Sequence, residues 1–218
     1  MPRISPSVLA EQTIPLPPLP EQRRIAAILD KADALRAKRR EAIAKLDQLL
    51  QSVFLDMFGD QDSFEFVPLA QVAEKQKHSF SNGPFGSDLL SSELVDSGVP
   101  VIYIRDIRDG EYARVSKVFV THEKATKINA AKVDPGDLLI SKVGGPPGVA
   151  AIYPAGEPDG VVTQDVIRLK VDASKASTYY VWGFLNSELG RGRIKTITVE
   201  ATRARFSLGD LKSLAIPL

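Results

Sequence analysis

The chain has no cysteine, which excludes both a disulfide framework and a thiolate-held metal. It has no apolar run approaching about 18 residues, so nothing in it reads as a membrane span. Histidine is scarce: His78 and His122 stand far apart without ligand-spaced companions, which argues against a zinc site. The opening "MPRISPSV" lacks the charged-then-apolar layout of a signal peptide, and a cytoplasmic location is expected. Net charge is only +1, so any affinity for nucleic acid has to come from local clusters of charge.

The motifs of catalysis are missing as well. No GxSxG elbow occurs. "SNGPFGS" (81–87) and "VGGPPG" (143–148) are glycine-rich, yet neither is followed by the Gly-Lys-Ser/Thr of a phosphate loop. The paired prolines of the second predict a rigid turn. The Asn/Asp-Pro-Pro-aromatic tetrapeptide of adenine methyltransferases is also absent. The chain reads as a binding protein and not as an enzyme.

What is present is patterned. At 218 residues, 44% hydrophobic and 25% charged, the chain suits one globular domain with an appendage. "RISPSVLAEQTIPL" (3–16) and "RFSLGDLKSLAIPL" (205–218) align without a gap at an offset of 202 residues. They agree at Arg3/Arg205, Ser5/Ser207, Leu9/Leu211, Ile14/Ile216, Pro15/Pro217 and Leu16/Leu218, the mark of a duplicated unit. Residues 1–20 hold the first copy and a proline strap, "TIPLPPLPEQ" (13–22), which favours an extended course without ladder hydrogen bonds.

Residues 21–58 contain neither Gly nor Pro and predict a helix roughly 55 Å long, ended by Gly59. Ile25, Ala32, Arg39, Leu46 and Val53 recur at heptad spacing, with Ile28, Leu35, Ala42 and Leu49 following them. Leu29, Ile43, Leu50 and Met57 widen the stripe. Such a seam predicts a coiled coil with a helix of another molecule, because no second helix of that length is apparent. Arg39 in the seam reads either as a register device or as an arginine snorkelling past it.

Residues 59–218 change texture. Strands are predicted in 99–107, 137–143, 149–154 and 161–171. In the last, Ile167, Leu169 and Val171 alternate with Arg168 and Lys170, predicting one buried and one solvated face. A helix is expected over 177–190, capped by Ser177 and stopped by Gly190, and a shorter one in "SLGDLKSL". The fold class expected is α+β, a long coiled-coil helix followed by a mixed α/β domain. Asn82, Ser87, Arg105, Arg108 and Lys142, on or beside glycine-rich loops and strand ends, are candidates for base or phosphate contact. Arg203 and Arg205, in the basic run 191–205, are candidates for phosphate contact.

Taken together, Ile14, Pro15, Leu16, Pro17, Pro18, Glu21, Gln22, Arg24 and Ile25, running into a long helix, resemble the specificity subunit of type I restriction-modification systems. "GVPVIYIRDI", "VDPGDLLIS" and the tail "RFSLGDLKSLAIPL" are similar to that family's target recognition domains. The resemblance implies a non-catalytic DNA reader. In the family, two recognition domains are held apart by two antiparallel helices. Those helices dock methyltransferase subunits and restriction subunits. Methyl transfer from S-adenosylmethionine to adenine N6 would belong to the partner, and this chain would hold no cofactor. Here one recognition domain and one helix are present, so the half-length form is expected. It would act as a homodimer through antiparallel long helices, or with a complementary half subunit. The head and tail then match because both are the seam between successive units. A coiled-coil adaptor that grips protein instead of DNA is the alternative.

Overall fold

Proline shapes the entry to the long helix. The computed structural model describes residues 5–58, 64–84 and 86–218, and the chain splits into two units, Met1–Leu50 and Gln51–Leu218. In the first, helix α1 (Pro6–Ala10) is opened by Ser5, whose Oγ accepts the Val8 N–H at 3.3 Å. Residues 12–18 are neither helix nor strand, as the proline spacing predicts. Helix α2 then runs Leu19–Phe58, starting ahead of the expected Glu21. The Pro18 carbonyl accepts from Glu21 N–H at 2.9 Å and Gln22 N–H at 3.1 Å. The Gln22 side-chain amide donates to the Pro17 carbonyl at 2.7 Å. Leu19 and Pro20 therefore fill the first turn, where an amide donor is not required.

The heptad positions of α2 are open. Ile28 is 56% exposed, Leu35 67% and Leu46 65%; Ile25, Arg39, Ala42, Leu49 and Val53 are exposed too, and Ala32 is half-buried. The ion pairs on this helix, Glu21–Arg24, Asp33–Arg36 and Glu41–Lys45, lie at the surface and contribute at most a few tenths of a kcal/mol each. Gly59 and the side chains of Leu50 and Met57 lie outside the described residues.

The second unit is α+β. Its strands are β1 (Phe66–Pro68), β2 (Phe80–Asn82), β3 (Leu94–Val95), β4 (Val99–Ile102), β5 (Ile107–Arg108), β6 (Glu111–Tyr112) and β7 (Phe119–Val120). Helix α3 (His122–Lys127) follows, then β8 (Lys132–Val133), β9 (Leu138–Ser141), β10 (Ala150–Ile152), β11 (Gly160–Val162) and β12 (Val166–Leu169). Helices α4 (Thr178–Asn186), α5 (Glu188–Ile197) and α6 (Leu208–Lys212) precede β13 (Ala215–Pro217). A four-stranded antiparallel sheet has the order β10-β9-β12-β2, and a five-stranded mixed sheet the order β3-β7-β4-β11-β8. Two short pairs, β1–β13 and β5–β6, complete the set.

The four-stranded sheet is buried on both faces. Leu138, Ile140, Ile167 and Leu169 pack with Val181, Phe184 and Leu185 of α4, Ile194 of α5 and Leu211 of α6. Leu139, Ala151 and Val166 enter a second core with Val101, Ile102, Val161 and Val162 of the other sheet. Alternation alone therefore misassigns the second face of β12. Arg168, expected in solvent, is 6% exposed. Its guanidinium donates to Asp137 at 3.4 Å and to the His78 carbonyl. Burial pushes the Asp137 carboxyl up, with the Arg168 charge opposing the shift. Lys170, one residue past β12, is only half-buried, with Asp134 at 3.8 Å.

Other expectations are corrected by similar local causes. The predicted strand 161–171 is two strands, because residues 163–165 carry the chain from one sheet to the other: Thr163 N–H donates to Ile102 O and Val166 N–H to Thr163 O, both at 3.0 Å. The predicted strand 99–107 leaves β4 through a 3-10 turn at Ile104–Asp106. The helix expected over 177–190 is broken at Ser187, which is extended and caps α5 by accepting the Gly190 N–H at 3.1 Å. Gly190 is thus a first-turn residue and not a stop. A Cβ there would sit 1.9 Å from the Phe184 carbonyl oxygen, so the α4–α5 joint requires glycine. Ser177 precedes α4 without a side-chain capping bond.

Gly190→Ala is expected to lower unfolding free energy in urea by about 1–3 kcal/mol, the usual range for overpacking. Arg168→Met leaves Asp137 buried without its cation and is expected to cost about 3–5 kcal/mol at neutral pH. A carboxyl whose folded pKa is raised destabilises the fold as pH rises through that pKa. The Arg168→Met deficit relative to the parent chain should therefore shrink as pH falls into the mildly acidic range, in parallel urea titrations.

Candidate nucleic-acid interface

Strand direction brings the glycine loops together. Strands β2 and β9 run the same way, each antiparallel to β12. The chain leaving Asn82, the chain leaving Ser141 and the turn entering Val166 therefore all lie at one end of the sheet. Backbone hydrogen bonds join them there. Gly83 N–H donates to Thr163 O at 3.3 Å and Lys142 N–H to Asp165 O at 2.8 Å. The segment 199–206 is laced on: Arg205 bridges both Val143 and Val199, and Gly144 N–H donates to Ala204 O at 3.1 Å.

Side chains stiffen the same end. Ser141 Oγ accepts the Val149 N–H at 2.9 Å. Arg191 of α5 donates to Pro147 O and to Asn186 Oδ1, each at 3.2 Å, and Asn186 itself bonds both the N–H and the carbonyl of Ala150. Gly148 has φ +86°, and a Cβ there would meet Ile194 at 2.8 Å. A Cβ at Gly83 would lie 2.0 Å from the Val162 carbonyl oxygen. Glycine at both places allows backbone contact that no larger residue permits.

Asn82, Lys142, Arg203 and Arg205 thus belong to one end of the unit. Asn82 is half-buried, and its amide donates to Gly83 O at 3.2 Å. Lys142 is half-buried, whereas Arg203 and Arg205 are exposed. The side chain of Ser87 lies outside those described. Arg108 lies on a separate hairpin, β5–β6, turned by Asp109 (φ 52°) and Gly110 (φ 84°), the two-residue geometry an Asp-Gly pair favours, and Arg105 sits in the 3-10 turn Ile104–Asp106 that leads into it. Buried Asp106 organises its approach by accepting from the N–H groups of Tyr103 at 2.8 Å, Val115 at 3.0 Å and Ser116 at 2.6 Å. The exposed Arg105 donates to Ser116 Oγ at 2.6 Å and stacks 4.6 Å from the Tyr103 ring centroid. Arg108 is exposed and stands opposite Glu111.

The basic run 191–205 divides by burial. Arg191 is half-buried, and burial pushes its pKa down; Arg193 stacks on Phe66 at 4.2 Å. Lys195, Arg203 and Arg205 face solvent. Lys195 and Glu200 line, with Pro146, Pro147 and Ile194, a groove of about 570 Å³. Sequence reasoning missed Lys124 and Lys127, which line a groove of about 480 Å³ beside Asn82 and Asp88. Their spacing reads as an ordinary solvated helix face, and only the fold sets them next to Asn82. Lys124 pairs with Glu93 at 2.7 Å, and that bond holds the Glu93 carboxyl below its ordinary range. Among the described residues no His, Asp and Glu side chains cluster as a metal site, and no helix is long and apolar enough to cross a membrane.

Comparison with known proteins follows the same lines. The pattern of the type I restriction modification DNA specificity domain matches residues 1–45, which take in the strap and about the first two thirds of α2. The type I restriction enzyme MjaVIII specificity subunit of Methanocaldococcus jannaschii is 21% identical over all of this chain and 54% of its own length. The chain therefore spans about half the length of this relative. A chain from a structure addressing complex assembly and conformational transition of the type I R-M system superposes with TM-score 0.59 at 21% identity, over 94% of this chain and 49% of that one. The HsdS subunit of Thermoanaerobacter tengcongensis superposes with TM-score 0.53 at 20% identity, over 100% of this chain and 51% of that one. At such identity the superpositions speak to fold alone, and it is the strap with its helix that ties the fold to a sequence signature. Along its strap and helix in sequence, and over the rest in fold, the chain is similar to the specificity subunits of type I restriction-modification systems.

Proposed function

We propose that the chain is the DNA-recognition subunit of a type I restriction-modification complex, and that residues 59–218 form its target recognition domain. The convergence of the Asn82, Lys142 and Arg203–Arg205 segments at one end of the buried sheet carries this reading. Loops tied by backbone hydrogen bonds offer side chains to base edges at little ordering cost. Exposed Arg203 and Arg205 meet phosphates, Asn82 and Lys142 contact base edges or phosphate, and Ser87 is a further candidate for such contact. Arg105 and Arg108 make flanking contacts from the 3-10 turn and the hairpin that follows it. The chain holds no cofactor of its own and acts in the cytoplasm. S-adenosylmethionine and the transfer to adenine N6 belong to a methyltransferase partner, and cleavage to restriction subunits.

The open stripe of α2 supplies the second half of the proposal. Two copies pair through antiparallel helices and present identical recognition domains to a bipartite, palindromic site. The half-sites would lie roughly one to one and a half DNA turns apart. Leu35→Asp together with Leu46→Asp is expected to convert a dimer to a monomer in sedimentation. If the parent chain is already a monomer at every concentration, the stripe serves a complementary half subunit or the methyltransferase, and the palindrome is lost.

DNA affinity should fall steeply with salt. Lys142→Ala and Arg203→Ala should each weaken binding and reduce the log–log salt slope by about 1. Asn82→Ala should instead alter sequence preference at a nearly constant slope. Binding that ignores salt, with a protein ligand captured in place of DNA, would identify the adaptor alternative.

A further inference from the structure

Polar side chains around the α4–α5 joint connect segments that lie far apart in sequence. Strand β10 is at the edge of its sheet, and Ala150 at its start is buried. The Ala150 N–H donates to Asn186 Oδ1 at 3.1 Å and its carbonyl accepts from Asn186 Nδ2 at 2.9 Å. The side-chain amide thus closes the edge as a neighbouring strand would. Asn186 Nδ2 also donates to the Trp182 carbonyl at 3.1 Å, and Trp182 Nε1 donates to Gly110 O at 2.8 Å. On the other side Asn186 Oδ1 accepts from Arg191 at 3.2 Å, and the same guanidinium donates to Pro147 O at 3.2 Å. One run of bonds therefore extends from the 144–148 loop, which follows Lys142, to the β5–β6 hairpin, which carries Arg108. Arg191 is half-buried, and both of these bonds end on neutral oxygens. A cation held in this way loses hydration without gaining a counter-charge, which makes it a costly means of holding a helix in place. A methionine of similar length would pack α5 as well. What only the planar fork can do is fix the Pro147 carbonyl and the Asn186 amide in set directions at once.

We propose that Arg191, seated on Asn186, is a positioning residue for sequence reading: it sets the 144–148 loop and, through Asn186 and Trp182, the β5–β6 hairpin at one fixed spacing, and touches no DNA itself. This role rests on the reading of residues 59–218 as a DNA-recognition domain. Base edges are told apart by hydrogen-bond geometry, so Lys142 and Arg108 discriminate only while the backbones beneath them keep a set separation. Loss of the fork leaves the contacting side chains present and frees the loop that follows Lys142. Phosphate contacts tolerate that movement, so general affinity for duplex survives and preference among duplexes is lost.

The test compares the full chain with Arg191→Met and Arg191→Lys, using a pool of randomised duplexes from which the parent selects its motif. Both variants should unfold in urea at nearly the parent's midpoint. In hydrogen exchange, the amides of residues 144–150 should exchange faster by about tenfold or more, while those of β12 stay protected. Preference for the selected motif over the unselected pool should fall about tenfold, with affinity for the pool and the log–log salt slope unchanged. Lysine keeps the charge but not the fork, so it should behave as methionine does. If Arg191→Met is unfolded by circular dichroism, Arg191→Lys decides alone. A salt slope reduced by about 1, or parent behaviour restored by lysine, makes Arg191 a direct phosphate contact and overturns the proposal. A loosened loop with preference intact overturns it too, since the bonds are then structural only. A parent chain that selects no motif and binds duplex without salt dependence overturns the DNA reading and this role with it, a result seen in the parent before any variant is compared.

Discussion

Everything in the second unit leans on a sheet that has no solvent face. Strands β9 and β12 are buried at every position, with helices against one surface and a second sheet against the other. Burying a Leu or Ile side chain is worth about 1.5–3 kcal/mol, so these strands anchor the unit firmly. A cation on such a strand has to find its partner inside. Arg168 does so with Asp137 and the His78 carbonyl, tying the strand to loops on both sides.

That rigidity is passed to the loops. The residues that leave β2 and β9 are held by hydrogen bonds to the turn before β12 and to the 199–206 segment. Glycine lets the backbones approach where a Cβ would collide. The loops are thus positioned before any ligand arrives, which suits a site that must distinguish neighbours of similar shape. Arg191 and Arg193 serve this scaffold, whereas Lys195, Arg203 and Arg205 remain at the surface.

The first unit follows the opposite logic. Helix α2 carries a full heptad seam and leaves its leucines and isoleucines largely in solvent. An apolar stripe of this length is stable in water only against another surface.

The sequence by itself determined what depends on near neighbours. The strap follows from proline, the helix from its uninterrupted heptads, α6 from the short helical stretch "SLGDLKSL", and the 202-residue repeat from simple alignment. Only the tertiary structure decided the rest. Alternation predicts a solvated Arg168 because it assumes one wet face, and whether that face is wet depends on a sheet built from distant residues. Gly190 reads as a helix stop because nothing local reveals the Phe184 carbonyl beside it. Asn82, Lys142 and Arg205 are legible singly as polar residues near glycines or in a basic run. Strand order and direction, which arise from contacts far apart in the chain, are what set them at one end of the sheet.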